Sequence, residues 1–155
     1  MDIYFLVKTL HILSSTILFG TGIGIAFFMF RSFSNNNIQQ KLYAANNTVL
    51  ADYIFTLPAV IIQPISGFWL VWQSGYSWSE PWLIKSYFLY LLAGLCWLPV
   101  VCIQLQLKKI LVQHGASTEA LAKRYNTLFK IWFLLGWPAF ISLLIIFYLM
   151  VAKPT

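Results

Sequence analysis

IYFLVKTLHILSSTILFGTGIGIAFFMF, residues 3–30, carries a single full charge, Lys8, before Arg31 ends it. About 30 Å of hydrocarbon crossed at 1.5 Å per residue asks for roughly 20 apolar residues in a row. This stretch exceeds that length, and three more match it: about Tyr53–Trp72, Leu83–Leu107 and Ile131–Val151. A leader peptide needs a basic opening and a small-residue cleavage site, whereas this chain opens Met1-Asp2-Ile3, so the first helix is expected to be retained.

Composition agrees. Of 155 residues 60% are apolar and 9% charged, against about 25% charged in soluble domains. Too few charges exist to build a water-facing surface, which excludes a soluble enzyme, and with 2 Cys a disulfide scaffold is excluded as well. A net charge of +6 has no soluble face on which to form a nucleic-acid patch, so no nucleic-acid partner is expected and the partner is the lipid bilayer. The reading is an all-α polytopic membrane protein: one integral domain over 1–155, an antiparallel bundle of four transmembrane helices with short connections. Arg31 and Lys41 follow the first span, and Lys108, Lys109, Lys123, Arg124 and Lys130 follow the third. This bias predicts N-out, C-out with those loops cytoplasmic.

Ile38, Leu42, Ala45 and Val49 recur at helical intervals, which predicts that Ile38–Asp52 prolongs the second helix beyond the membrane. Asn46-Asn47-Thr48 has the form of a glycosylation sequon on a face where no glycan is added. Trp72, Trp78 and Trp82 around the turn-forming outer loop suit an interfacial belt. Asn47-Thr48 with Pro58-Ala59 returns as Asn126-Thr127 with Pro138-Ala139, the pattern of a duplicated hairpin. Pro58, Pro64, Pro99 and Pro138 each free a carbonyl that must find another partner. Thr16, Gly20 and Gly24, four apart, favour close packing of a neighbouring helix.

Ionisable groups inside a bilayer need a task or an escape. Lys108, Lys109, Lys123, Arg124 and Lys130 are inner-face anchors, Asp52 is expected to pair with one of them at the rim, and His114 falls in a polar loop. His11 lies about 12 Å along the first helix from Ile3. Tyr4, Lys8, His11 and Ser15 form one polar stripe expected to face the bundle interior, with Lys8 able to snorkel outward. Two readings of His11 stand: an imidazole bonded to a neighbouring hydroxyl or freed carbonyl, or an axial ligand to haem iron. A second axial donor would have to be Lys85, as its neutral amine, or Met150; Lys85 is otherwise an interfacial anchor beside Trp82. Zinc or copper lacks a ligand set, and Cys96 and Cys102, six apart, read as core residues. Gln63 at mid-span and Gln104 and Gln106 near the inner end of the third span either line a polar path or satisfy neighbours. Hydrolytic triads, carboxylate pairs and phosphate loops are absent from the sequence.

The ordered series Lys8–Leu13, Leu18–Gly22, Ala51–Thr56, Gln63–Gly67, Glu80–Leu83, Cys96–Val100 and Gly136–Phe140 resembles a bacterial integral membrane family known as domain of unknown function 2269, over nearly the whole chain. Lys8-x-Leu10-His11 opening a four-helix core is more distantly similar to the HemJ-type protoporphyrinogen oxidases and the CopD-like copper-resistance domains. The first of these similarities implies b-type haem, with His11 at the first-helix histidine and Lys85 near the third-helix lysine. His11, Lys8 and Lys85 are therefore the candidate cofactor residues, with His11 the metal ligand. The resulting expectation is a bacterial inner-membrane protein holding haem b, or a porphyrin, for electron transfer or tetrapyrrole oxidation. The alternatives are an accessory or assembly subunit packed against other membrane proteins, and a small-solute carrier acting as a homo-oligomer with Gln63 and the prolines lining its path.

Overall fold

The computed structural model describes residues 2–114 and 119–154. It is helical, with no strand among the described residues: α1 (Ile3–Phe33), α2 (Ile38–Ala51), α3 (Leu57–Ser74), α4 (Pro81–His114) and α5 (Glu119–Ala152), with a π-helical turn, Asp52–Thr56, joining α2 to α3. Four helices are long and apolar enough to cross a membrane: Ile3–Phe33, Ile38–Ser74, Pro81–Gln113 and Glu119–Ala152.

Local chemistry accounts for the boundaries. The Asp2 carboxylate caps α1 by accepting from the Tyr4 amide, and Asn37 caps α2 by accepting from the Gln39 amide. Gly75, at φ 70°, ends α3 in the left-handed conformation that glycine adopts without penalty. The helices outrun the expected spans at the end where α1 meets α2 and α4 meets α5, adding turns that carry the basic residues. Segment 38–51 does prolong the second span, but through a register change at 52–56. His114 ends α4; the loop expected to follow, from Gly115, lies outside the described residues.

Large apolar side chains point outward along every span: Phe28 is 64% exposed, Ile65 65%, Phe88 69% and Leu134 67%. In water that surface would drive aggregation; in acyl chains it is the solvent-facing side. Inside, the apolar residues gather in two clusters. One, at the α1–α2 turn end, joins Met29, Ala45, Leu107, Leu111, Tyr125, Phe129 and Trp132, with Phe33 stacked on Phe129 at 4.0 Å between centroids. The other joins Val71, Trp82, Leu83 and Leu149 at the opposite end. Trp82, expected in an interfacial belt, is thus buried at 6% exposure, while Trp72 and Trp78 are exposed.

α1 packs chiefly on α3, and α4 on α5, with α2 lying against α1 and α4. Gly20, Gly22 and Gly24 meet nothing within 4 Å of where a side chain would begin, so the expected close packing along α1 does not form within this chain. The glycine that does permit a close approach is Gly67 on α3. The two proposed repeats differ in backbone: the first contains the π turn, whereas α5 has none.

Candidate functional site

Two polar constellations lie within the spans. The first is a seam between α1 and α3. Ser66 Oγ donates to the Ile62 carbonyl at 2.6 Å, which uses its one hydrogen, so the 2.8 Å contact with His11 is donated by the Nδ1–H of the imidazole. Gln63 Nε2 donates to the His11 carbonyl at 2.6 Å and to Ser14 Oγ, and Ser14 Oγ donates to the same carbonyl at 3.0 Å. Ser74 Oγ donates to Tyr4 Oη at the helix ends. The inward residue of the α1 stripe is Ser14, which is buried; Ser15 bonds its own helix at the Ile12 carbonyl. Lys8 is exposed, with its ammonium 5.8 Å from the Tyr4 ring.

This geometry bears on haem. The tautomer that Ser66 imposes leaves the lone pair on Nε2, the nitrogen an iron would take. The rest of the ligand set is not brought together. The His11 ring packs on Gly67, where a methyl group would come within 3.2 Å of Cε1, and His11 lines neither of the two cavities described below. Lys85 is exposed on α4, and Met150 packs in the Val71–Trp82 cluster. Among the described residues no three His, Cys, Asp or Glu side chains converge. Neither Lys85 nor Met150 is brought beside His11 as a second axial donor. Gln63 is committed to the seam, while Gln106 and Cys102 are exposed and take no interior role.

The second constellation is the one that sequence reasoning missed. Asp52 opens the π turn and is 6% exposed, with no Lys or Arg beside it. The expected rim pairing does not form. Instead the carboxyl faces Thr56 on its own turn and Trp97 and Gln104 on α4. Thr48, Asp52, Thr56 and Ala59 are all buried, one inward stripe carried through the register change. Trp97 and Gln104, seven apart, share one face of α4.

Thr56, Gln104 and Trp97 approach the carboxyl without satisfying every group. Asp52 Oδ2, Thr56 Oγ, Gln104 Oε1, Trp97 Nε1 and Trp132 Nε1 are buried without a hydrogen-bond partner. Leaving such a group unpaired costs about 1–3 kcal/mol, and native interiors contain few of them. All five residues line one cavity of about 490 Å³ between α1, the π turn, α4 and α5. The rest of its wall is apolar and aromatic, including Phe19, Phe30, Phe133, Trp137 and Phe140. Tyr90, another wall residue, donates to the Val60 carbonyl at 2.6 Å, the carbonyl that Pro64 leaves without an amide four residues on.

The site is therefore an oily, aromatic chamber with the Asp52 carboxyl, the Gln104 amide oxygen, the Thr56 hydroxyl and the Trp97 and Trp132 indole N–H groups set unpaired into its wall. The visible signal was the position of Asp52, immediately before the apolar run Tyr53–Trp72, inside the motif Ala51–Thr56. No curated protein and no solved structure matches the chain. Residues 5–154 match a family described as predicted integral membrane protein (DUF2269), and with its four apolar helices the chain belongs to that family.

Proposed function

We propose that the protein binds a lipophilic cation, such as an aromatic or alkyl amine, in the chamber between α1, α4 and α5, and that Asp52 exchanges a proton for it. In this reading the four spans run antiparallel in a bacterial inner membrane, N-out and C-out, with the Arg31, Lys41 and Lys108–Lys130 end on the cytoplasmic side. The Lys/Arg bias supports that orientation, and the meeting of Tyr4 with Ser74 and of His11 with Ser66 supports opposite directions for α1 and α3. The proposal takes up the small-solute carrier reading with a different site: the wall is built by Asp52, Trp97 and Gln104, and Gln63 is not part of it.

A single observation carries the reading: a buried carboxyl without a cationic neighbour at the polar end of an aromatic cavity. A lone carboxylate in a low-dielectric site must hold its proton or meet a cation. A guest ammonium supplies that cation, and the carboxyl proton leaves to water as the guest enters. The aromatic wall suits the rest of the guest, since ring faces attract cations by about 0.5–2 kcal/mol each once water is excluded. Asp52 lies about 30 Å along the helix from Trp72, so in this reading the polar end faces the cytoplasmic boundary and the oily end mid-bilayer.

Calorimetric titration of the detergent-purified chain with tetraphenylphosphonium tests this. The parent is expected to bind, Asp52→Asn to lose more than about tenfold in affinity, and Asp2→Asn, which alters only the α1 cap, to match the parent. Equal binding by Asp52→Asn and the parent would overturn the reading.

A further inference from the structure

We propose that the groove between α1 and α2 is a binding site for an anionic phospholipid of the leaflet at the basic end of the molecule. The groove, of about 910 Å³, is separate from the aromatic chamber. At the α1–α2 turn it is lined by Arg31, Asn35, Gln39 and Gln40, and farther from the turn by Ile25, Leu50, Ile54 and Phe55, with Asn47 and Thr48 among them.

Three observations select the occupant. Arg31 is exposed and makes no hydrogen bond or ion pair among the described residues, and no Asp or Glu lines the groove. None of the other acids answers it: Asp2 and Glu80 lie toward the other end, Asp52 is buried in the chamber, and Glu119, which opens α5 at the same end as Arg31, neither lines the groove nor pairs with it. A guanidinium presents a rigid fork of donors that matches the two free oxygens of a phosphodiester.

The polar rim is already braced. Asn35 donates to Gln40, Asn37 accepts from the Gln39 amide at 2.9 Å, and Asn47 donates to the Tyr43 carbonyl at 2.9 Å. These bonds hold the α1–α2 turn in place and leave the Arg31 guanidinium free for an external anion. Arg31 at the turn end and the apolar side chains of Ile25, Leu50, Ile54 and Phe55 farther along the groove suit a headgroup and an acyl chain respectively. A free phosphate would use only the first part.

Native mass spectrometry of the detergent-purified full chain tests the assignment with phosphatidylglycerol and phosphatidylcholine as probes. One phosphatidylglycerol adduct is expected to persist where phosphatidylcholine is shed. Arg31→Gln is expected to lower its occupancy by roughly tenfold, while Arg124→Gln, on the exposed face of α5 and outside the groove, leaves it unchanged. Circular dichroism checks that each variant keeps its helix content. Should Arg31→Gln fail to fold, Arg31→Lys, which keeps the charge and loses the fork, is expected to weaken the adduct several-fold. Equal retention of the two lipids, an undiminished adduct in both Arg31 variants, or displacement of the lipid by millimolar inorganic phosphate would each overturn the proposal.

Discussion

His11 and Gly67 illustrate how little room the α1–α3 seam leaves. A methyl group on Gly67 would come within 3.2 Å of the imidazole Cε1, so the ring must give by a few tenths of an ångström against its bond to Ser66. Gly67→Ala is therefore expected to destabilise the chain by about 1–3 kcal/mol, the usual cost of overpacking, read as a lower thermal midpoint in detergent. In a His11→Ala background the same change should cost much less, because the obstructing ring is gone; an equal cost in both backgrounds would show that Gly67 matters for another reason. Residues like these were half legible. A histidine deep in an apolar helix stands out, but whether it meets a hydroxyl, a metal or lipid depends on what the partner helix presents. Ser66 and Gly67 lie 55 and more residues away in sequence. Likewise, one position of helical rotation separates Ser14, which is buried, from Ser15, which is not. A stripe drawn on an ideal wheel does not resolve that difference.

At the scale of elements, prolines shape the second span. Pro58 removes an amide at the start of α3, and the chain answers with the wider turn at Asp52–Thr56, whose Asp52 carbonyl accepts from the Leu57 amide. That turn directs Asp52 and Thr56 into the interior rather than toward the rim lysines. Pro64 frees the Val60 carbonyl, and Tyr90 on α4 takes it up. Tyr90→Phe is expected to cost about 0.6–1.7 kcal/mol, the range for hydrogen bonds between membrane helices. Pro64→Ala restores a local amide for Val60, so Tyr90→Phe should cost less in that background. A double-mutant cycle by denaturant titration measures the coupling, and a coupling of zero would dissociate Tyr90 from the proline. The need for a partner carbonyl was legible from each proline. The π turn was not, since nothing in an apolar run announces where the hydrogen-bond register will slip by one residue.

For the whole molecule, the four apolar helices follow from composition and pattern together: a chain with 9% charged residues must satisfy its backbone within lipid, and continuous apolar runs of about 20 residues select helices over a barrel's alternating strands. The interior was much less legible. Gln104 and Gln106 have the same chemistry two positions apart, yet one is buried at 2% exposure and the other is exposed. Only the seating of α4 against the π turn decides between them. The orientation carries its own expectation. With Cys96 and Cys102 replaced by Ser, a cysteine at Ser77 should react with a membrane-impermeant thiol reagent in intact cells, and one at Lys109 only after permeabilisation. The reverse pattern would invert the topology and move the Arg31 groove to the outer leaflet.

In the proposed reading the Asp52 carboxyl in the chamber gives up its proton when a cation binds. Proton release into weakly buffered detergent solution, recorded while tetraphenylphosphonium is titrated into the purified chain, tests that claim most directly. About one proton freed per cation bound, with none from Asp52→Asn, is the expected result. Cation binding with no proton released, or the same release from Asp52→Asn, would contradict the account.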